Sequence, residues 1–253
     1  MQTTNNTVLI TGGSSGIGLA LAAALLEAGN GVLICGRDEG RLAEAKRQLP
    51  RVHTRVCDVS NKAGREALAD WATGSYPAIN MLVNNAGIQR ELDFLAGAAD
   101  FNDSESEIET NLTAGIHLSA LFLPHFLRQE RECAIVNVTS GLAFIPLKIV
   151  PVYCATKAAL HSFSMSLRSQ LAGTNTRVFE IAPPIVKTGL HREAKARRQA
   201  ERGIAPEVVA RETLKALAKD RYQCIVGQAK SLKGAARIAP LFFHRLLNKL
   251  ATR

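Results

Sequence analysis

Seven short apolar runs, rich in β-branched residues and spaced by longer helical stretches, set the strongest limit on how this chain can fold. They fall at 7–11, 32–35, 53–57, 81–84, 134–138, 177–181 and 223–226. The runs are near-continuous rather than alternating, the pattern of strands covered on both faces in a parallel sheet. After the first run, Ile17, Leu21, Ala24, Leu25 and Ala28 recur at helical spacing, opening near Gly16 and closing at Gly29 as a C-cap. Strand–helix alternation with right-handed crossovers predicts an α/β fold: a doubly wound parallel sheet of seven strands with helices on both faces. No repeat, low-complexity linker or shift in composition divides the 253 residues, so one domain over 1–253 is expected.

Directly after Val8-Leu9-Ile10 the chain reads Thr11-Gly12-Gly13-Ser14-Ser15-Gly16-Ile17-Gly18 and then enters the first helix. Strand, glycine turn and helix in that order are the context in which a glycine pattern signals a Rossmann-like dinucleotide site. Gly12 permits the tight turn, Gly16 lets the backbone approach phosphates, and Gly18 allows close helix packing. The helix N-terminus, with Ser14, Ser15 and Ile17 around it, offers N–H groups and partial positive charge to a pyrophosphate. Further on, Ser140 and Tyr153-Cys154-Ala155-Thr156-Lys157 would set a hydroxyl, a phenol and an ammonium around one reacting carbon. Tyr153 and Lys157 are four apart and share a helix face, about one turn of ~5.4 Å from each other. Tyrosine's reference pKa of ~10 is too high for an efficient base near neutrality, and the nearby ammonium is expected to lower it. Ser140 would hold the substrate oxygen and stabilise developing negative charge. The whole set reads as hydride transfer between a nicotinamide cofactor and a carbonyl or alcohol.

The spacing Gly-x-x-x-Gly-x-Gly is joined by Asp58-Val59, Asn84-Asn85-Ala86-Gly87, Asn111, Ser140, Tyr153 and Lys157, in that order. Together they resemble the single-domain branch of the short-chain dehydrogenase/reductase family, and the resemblance covers nearly the whole chain. It implies that Asp58 and Val59 flank the adenine. Asn84, Ala86 and Gly87 would shape the adenosine ribose side and brace the central strand. Lys157 would bond the nicotinamide ribose beside Tyr153, and Asn111 would be the fourth member of a catalytic tetrad, positioning a relay water. Ile185 and Thr188 would fix the carboxamide. Here Pro183-Pro184-Ile185 replaces the family's usual Pro-Gly-x, which predicts a stiffer backbone. Family members are commonly dimers or tetramers, so a homodimer or homotetramer is expected. The blocks Asn84-Asn85-Ala86-Gly87-Ile88-Gln89-Arg90-Glu91 and Ser140-Gly141-Leu142-Ala143-Phe144-Ile145-Pro146 look like the branch labelled for D-alanine esterification of teichoic acids, as does 150–157. That label describes a genomic context and names no substrate.

Cofactor choice turns on Leu33-Ile34-Cys35-Gly36-Arg37. A carboxylate at that strand end would favour NAD. Gly36 stands there instead, and the Arg37 guanidinium suits a 2′-phosphate, so NADP is expected. Asp38 reaching the ribose hydroxyl is the route by which NAD would be used. The pocket candidates Gly141, Leu142, Phe144, Ile145, Val150, Ile185 and Leu190 are mostly apolar, with Gln89 and Arg90 adding polar contacts. They suggest a small, moderately hydrophobic carbonyl or alcohol. The segment 187–205, basic and read as helical over 187–203, would cover the substrate.

Net charge is +9. The cluster Lys187, Arg192, Lys195, Arg197, Arg198 and Arg202 lacks interleaved aromatics, so no nucleic-acid partner is indicated. It would also suit docking of an acidic acyl carrier, which makes a 3-oxoacyl-carrier-protein-type reductase the first alternative. A dinucleotide-binding sensor without turnover is the second. The tail 238–250 is apolar with interspersed basic residues. Packing against the domain or a neighbouring subunit is the favoured expectation for it, and lying on an anionic membrane the lesser one. The five scattered cysteines read as small buried hydrophobes, and no histidine pair suggests a metal. With no leader-like N-terminus and no apolar run of ~20 residues, a cytoplasmic location is expected.

Overall fold

The structure, a computed structural model, describes residues 1–100, 107–190 and 203–251. Its first half runs β1 (Thr7–Thr11), α1 (Gly16–Glu27), β2 (Gly31–Gly36), α2 (Glu39–Gln48), β3 (His53–Val56), α3 (Lys62–Ser75) and β4 (Ile79–Asn84). A 3₁₀ segment (Phe94–Asp100) and a π-helical turn (Glu109–Thr113) lead into α4 (Ala114–Leu127) and β5 (Cys133–Val138). A 3₁₀ turn (Gly141–Ala143), α5 (Pro151–Gln170), β6 (Thr176–Ala182), α6 (Pro206–Ala218), β7 (Gln223–Ile225), α7 (Ala229–Ile238) and α8 (Pro240–Ala251) complete it.

The strands form one seven-stranded sheet in the order β3-β2-β1-β4-β5-β6-β7. Every pairing is parallel. The order reverses between β1 and β4, so their carboxyl ends flank the crevice where open α/β sheets bind ligands. The continuous apolar runs are explained by two cores, one on each face. Val8, Ile10, Val32, Ile34, Met81 and Val136 point to α1 and α6, while Leu9, Leu33, Leu82 and Ile135 point to Leu68, Leu118, Phe122 and Phe126 of α3 and α4. With successive side chains on opposite faces, both sets must be apolar.

One strand departs from expectation. All four residues of β3 are exposed, because it is an outer strand hydrogen-bonded to β2 and its side chains lie beyond both cores. Gly29 falls one residue past the Ala28 C-cap of α1 and adopts φ +81°, the left-handed conformation that ends helices and favours glycine. All five cysteines are buried thiols. The basic side chains of 192–202 lie outside the described residues. At the ends of the expected cover over 187–205, Val186 pairs with Ile204 in a parallel bridge.

Candidate active site

The glycine turn is held shut from β4. Asn85 Nδ2 donates to the carbonyl oxygens of Thr11 (2.9 Å) and Gly12 (3.1 Å). The Thr11 hydroxyl accepts from the N–H groups of Asn85 and Ala86, both at 3.0 Å. Gly12 and Gly16 have φ of +63° and +54°, where a side chain would be strained. A Cβ on Gly18 would sit 2.3 Å from the Gly12 carbonyl oxygen and 2.6 Å from Asn85 Nδ2, so α1 starts tight against the turn. A Cβ on Gly16 would meet Thr188 at 2.9 Å, bringing the two ends of the expected cofactor track together. The α1 N-terminus has no acidic residue in its first turn, and its N-cap Ser15 makes no side-chain cap. Its amides are therefore left for an anion, and the cradle fits a pyrophosphate. Gly18→Ala is expected to cost about 1–3 kcal/mol of stability by overpacking; a denaturation midpoint equal to wild type would show that the turn can relax.

The loop expected to flank the adenine is positioned by a residue the motifs do not mark. Arg65 of α3 is buried and donates to the carbonyl oxygens of Val59 (2.7 Å) and Ser60 (3.0 Å). Its Nε bonds His117 Nδ1 at 3.0 Å, and Nη1 lies 3.7 Å from Glu109 of the π-turn. Helical amphipathicity assigns such a residue to solvent, so no local signal marks it. Asn84 differs from its neighbours in the motif. Its amide points into the protein, donating to Asn137 Oδ1 (2.9 Å), Ser119 Oγ (3.2 Å) and the Gly115 carbonyl (3.3 Å). It braces β4, and Asn85, to which the family resemblance gives no role, is the one that reaches the glycine turn.

The candidate catalytic groups converge where β4 and β5 end. Ser140 caps the 3₁₀ turn by accepting from Leu142 N–H at 3.1 Å and hydrogen-bonds the Tyr153 phenol. Lys157 Nζ donates to the Val138 carbonyl at 2.9 Å and lies 5.7 Å from the Tyr153 ring centre. A Cβ on Gly87 would stand 3.4 Å from Asn111 Oδ1 and 3.6 Å from Lys157 Nζ, so glycine there lets the three approach. Asn111 sits in the π-turn rather than in a regular helix, a distortion frequent at functional sites. Both ends of its amide are engaged by the backbone of Ile88, each at 2.8 Å, and Nδ2 also reaches Thr156 Oγ1 at 3.3 Å. The Asn111 side chain is thus held in place by Ile88 and Thr156.

The electrostatics reverse one expectation. Burial drives the Tyr153 phenol well above its ordinary pKa, and the Ser140 hydrogen bond offsets only part of this; the negative charge of Glu107 adds to the rise. Burial also lowers the Lys157 ammonium from 10.5 to about 8. Within the protein itself desolvation is the largest influence on both groups, and it favours the protonated phenol.

Around the phenol, Leu142, Leu147, Ile149 and Leu190 pack against Val150, Tyr153 and Cys154. Gln89, Arg90 and Glu107 add buried polar groups, with Arg90 N–H donating to Glu107 Oε1 at 3.2 Å. Ile185 is exposed, while the Pro183 carbonyl accepts from Gly141 N–H at 2.9 Å and so ties β6 to the Ser140 turn.

A doubly wound parallel sheet with this crevice defines a class of dinucleotide-binding α/β proteins. The sequence profile of the short chain dehydrogenase family matches residues 6–199, and the chain belongs to that family of oxidoreductases. It is 52% identical to the uncharacterized oxidoreductase DltE of Bacillus subtilis (strain 168), over 100% of this chain and 99% of that one. A short chain dehydrogenase/reductase from Burkholderia phymatum, solved in complex with NAD, superposes with a TM-score of 0.84 at 25% identity, covering 97% of this chain and 96% of the other. A short chain dehydrogenase from Burkholderia cenocepacia J2315, in complex with NADP, also gives a TM-score of 0.84, at 26% identity over 98% and 99% of the two chains.

Proposed function

We propose that this chain is an NADP(H)-dependent oxidoreductase that interconverts a carbonyl and an alcohol. The observation that carries the reading is the convergence of Ser140, Tyr153 and Lys157 beside a closed glycine cradle at the sheet's switch point. The bound nicotinamide would supply or accept the hydride. Ser140 Oγ accepts from Leu142 N–H and hydrogen-bonds the Tyr153 phenol, so a substrate oxygen would take up the hydroxyl proton that Ser140 directs at the phenol. Tyr153, kept protonated by burial, gives its proton to that oxygen as the carbonyl is reduced. Lys157, with a pKa of about 8, can return a proton near neutral pH and hold the nicotinamide ribose. The Asn111 main chain supports the water through which that proton is replaced. A non-catalytic sensor would have no use for this convergence. The carrier-docking alternative rests on 192–202, which lie outside the described residues. The test is oxidation of NADPH against a panel of small ketones and aldehydes; no turnover with any of them would count against the reading.

The preference for NADP(H) rests on how the carboxylate near β2 is used. Asp38 caps α2, accepting from Arg41 N–H at 2.9 Å, and its other oxygen lies 3.4 Å from Arg41 Nε. It is engaged with its own helix. A Cβ on Gly36 would lie 3.3 Å from Ser14 Oγ, so glycine keeps open the space beside Ser14 and Arg37 where a 2′-phosphate fits. Asp58, whose Oδ1 accepts from Ser60 N–H (3.0 Å) and Oγ (2.8 Å), and Val59 form the adenine side. Arg37→Ala is expected to weaken NADPH about 10–100-fold, the worth of a charge-assisted hydrogen bond, and to leave NADH nearly unchanged. Equal dissociation constants for the two cofactors in wild type would refute the assignment.

The assembly is proposed to be a homodimer or homotetramer. Ile116 and Leu127 of α4 and Met165 of α5 are exposed and suit a subunit contact. Among the described residues no helix is long and apolar enough to cross a membrane.

A further inference from the structure

We propose that the C-terminal hairpin, α7 and α8, is a docking face for an anionic lipid surface, on which it lies in the plane of the interface. α8 is fixed to the domain along one side. Asn248 Oδ1 accepts from Lys148 N–H at 2.6 Å and its Nδ2 donates to the Pro146 carbonyl at 3.2 Å. His244 Nδ1 meets the same carbonyl at 3.1 Å. The other side is apolar and open: Leu241 is 72% exposed, Phe242 62%, Leu246 40% and Leu250 61%, continued by Ile238 at 82% at the end of α7. These positions follow a helical stripe through the bend at Ala239 and Pro240. A stripe of large apolar groups this exposed is a mark of an interaction surface.

Charge identifies the occupant. Arg237, Arg245 and Lys249 are exposed, Arg245 and Lys249 continuing the row of Leu241 next to the row of Phe242, Leu246 and Leu250, and Lys230 is exposed on α7. From 221 to 253 the sequence contains seven Lys and Arg residues and no Asp or Glu. A second copy meeting this face about a two-fold axis would set the basic residues of the segment against the same residues of its partner, and the segment itself brings no Asp or Glu to that contact. A bilayer containing anionic lipid provides both halves of the match, hydrocarbon for the stripe and phosphate for the cations. At 12 residues, α8 extends about 18 Å, too short to span a hydrocarbon core and suited to lying along its surface. The rigid hold of Asn248 and His244 presents that stripe already ordered, so docking carries no folding cost. This inference stands apart from the catalytic reading.

The experiment is co-sedimentation of the full chain with vesicles of phosphatidylcholine alone and with phosphatidylglycerol added, alongside light scattering for its mass in solution. Binding is expected to the phosphatidylglycerol vesicles and to weaken as salt rises. Arg245→Ala with Lys249→Ala should weaken it about 25-fold, taking about fivefold per cation. Leu241→Ser with Phe242→Ser should weaken it at least tenfold, and both variants should keep the wild-type melting temperature because the altered side chains face solvent. Failure to bind phosphatidylglycerol vesicles overturns the proposal, as does binding that either variant leaves intact. A fall in oligomeric mass in the Leu241→Ser, Phe242→Ser variant, without vesicle binding by wild type, would assign the face to a second copy instead.

Discussion

Tyr153→Phe is expected to lower turnover by about 10²–10⁴-fold, the span of general acid catalysis, while the dissociation constant for NADPH changes little. The substitution removes one hydroxyl and leaves the ring against Val150 and Cys154, so the fold has no reason to yield. The cradle of Gly12, Gly16 and Gly18 is built by Asn85 and Thr11 and does not depend on the phenol. The raised pKa of Tyr153 makes the case sharper. A phenol that burial keeps protonated serves reduction as an acid near neutrality, and phenylalanine has no proton to give. Steady-state rates with any accepted ketone, beside fluorescence titration of NADPH, separate the two effects. A variant that turns over as fast as wild type would remove Tyr153 from the chemistry.

Glu180→Ala is expected to destabilise the fold by about 3–5 kcal/mol, the range for stranding the partners of a buried charge. Glu180 lies on β6 with no exposed surface. Its carboxylate accepts from Thr139 Oγ1 (2.7 Å) and Gln223 Nε2 (2.8 Å), and both oxygens lie 2.9 Å from His161 Nδ1. Removing it leaves those donors buried, opens a cavity and loosens Thr139, the residue before Ser140. Burial works to raise the pKa of Glu180, but the hydrogen bonds from His161, Gln223 and Thr139 outweigh it and hold the carboxyl below its ordinary 4.5.

The sign of the pH dependence follows. A folded-state pKa below the unfolded one contributes stability that is fully present above the unfolded value and is lost as pH falls through the folded one. The stability gap between wild type and Glu180→Gln should therefore be widest at neutral pH and narrow below about pH 4.3. Urea denaturation at pH 7 and pH 4 measures it; a gap that stays constant would show that the ionised form is not the one the fold selects.

Much of this architecture was readable because strand and helix periods are local. Each of the seven apolar runs became a strand with its ends moved by two residues at most, since a parallel strand covered on both faces is mostly apolar on both. The departure, β3, came from a short run whose exposure depends on its place at the edge of the sheet, which no local pattern encodes. The motif residues were equally legible, but their side-chain directions were not. Asn84 and Asn85 are adjacent and identical in type, and the pleat sends one into the α4 side and the other to the glycine turn. Arg65 and Glu180 carry no motif at all. Both are charged residues that a sequence assigns to solvent, and both are buried by contacts made across 52 and 41 positions, respectively.

What the amino-acid order determined by itself was the layered α/β plan, the glycine cradle, and the spacing that puts Tyr153 and Lys157 on one helical face, because each depends on neighbours a few residues apart. What the tertiary structure decided was the protonation of that pair and the company it keeps. Desolvation depends on how much protein closes over a group, and here it holds the proton on the phenol and draws the lysine toward neutrality. The same holds at the C-terminus, where only the fold shows which side of α8 is fastened to the domain and which apolar side is left in water.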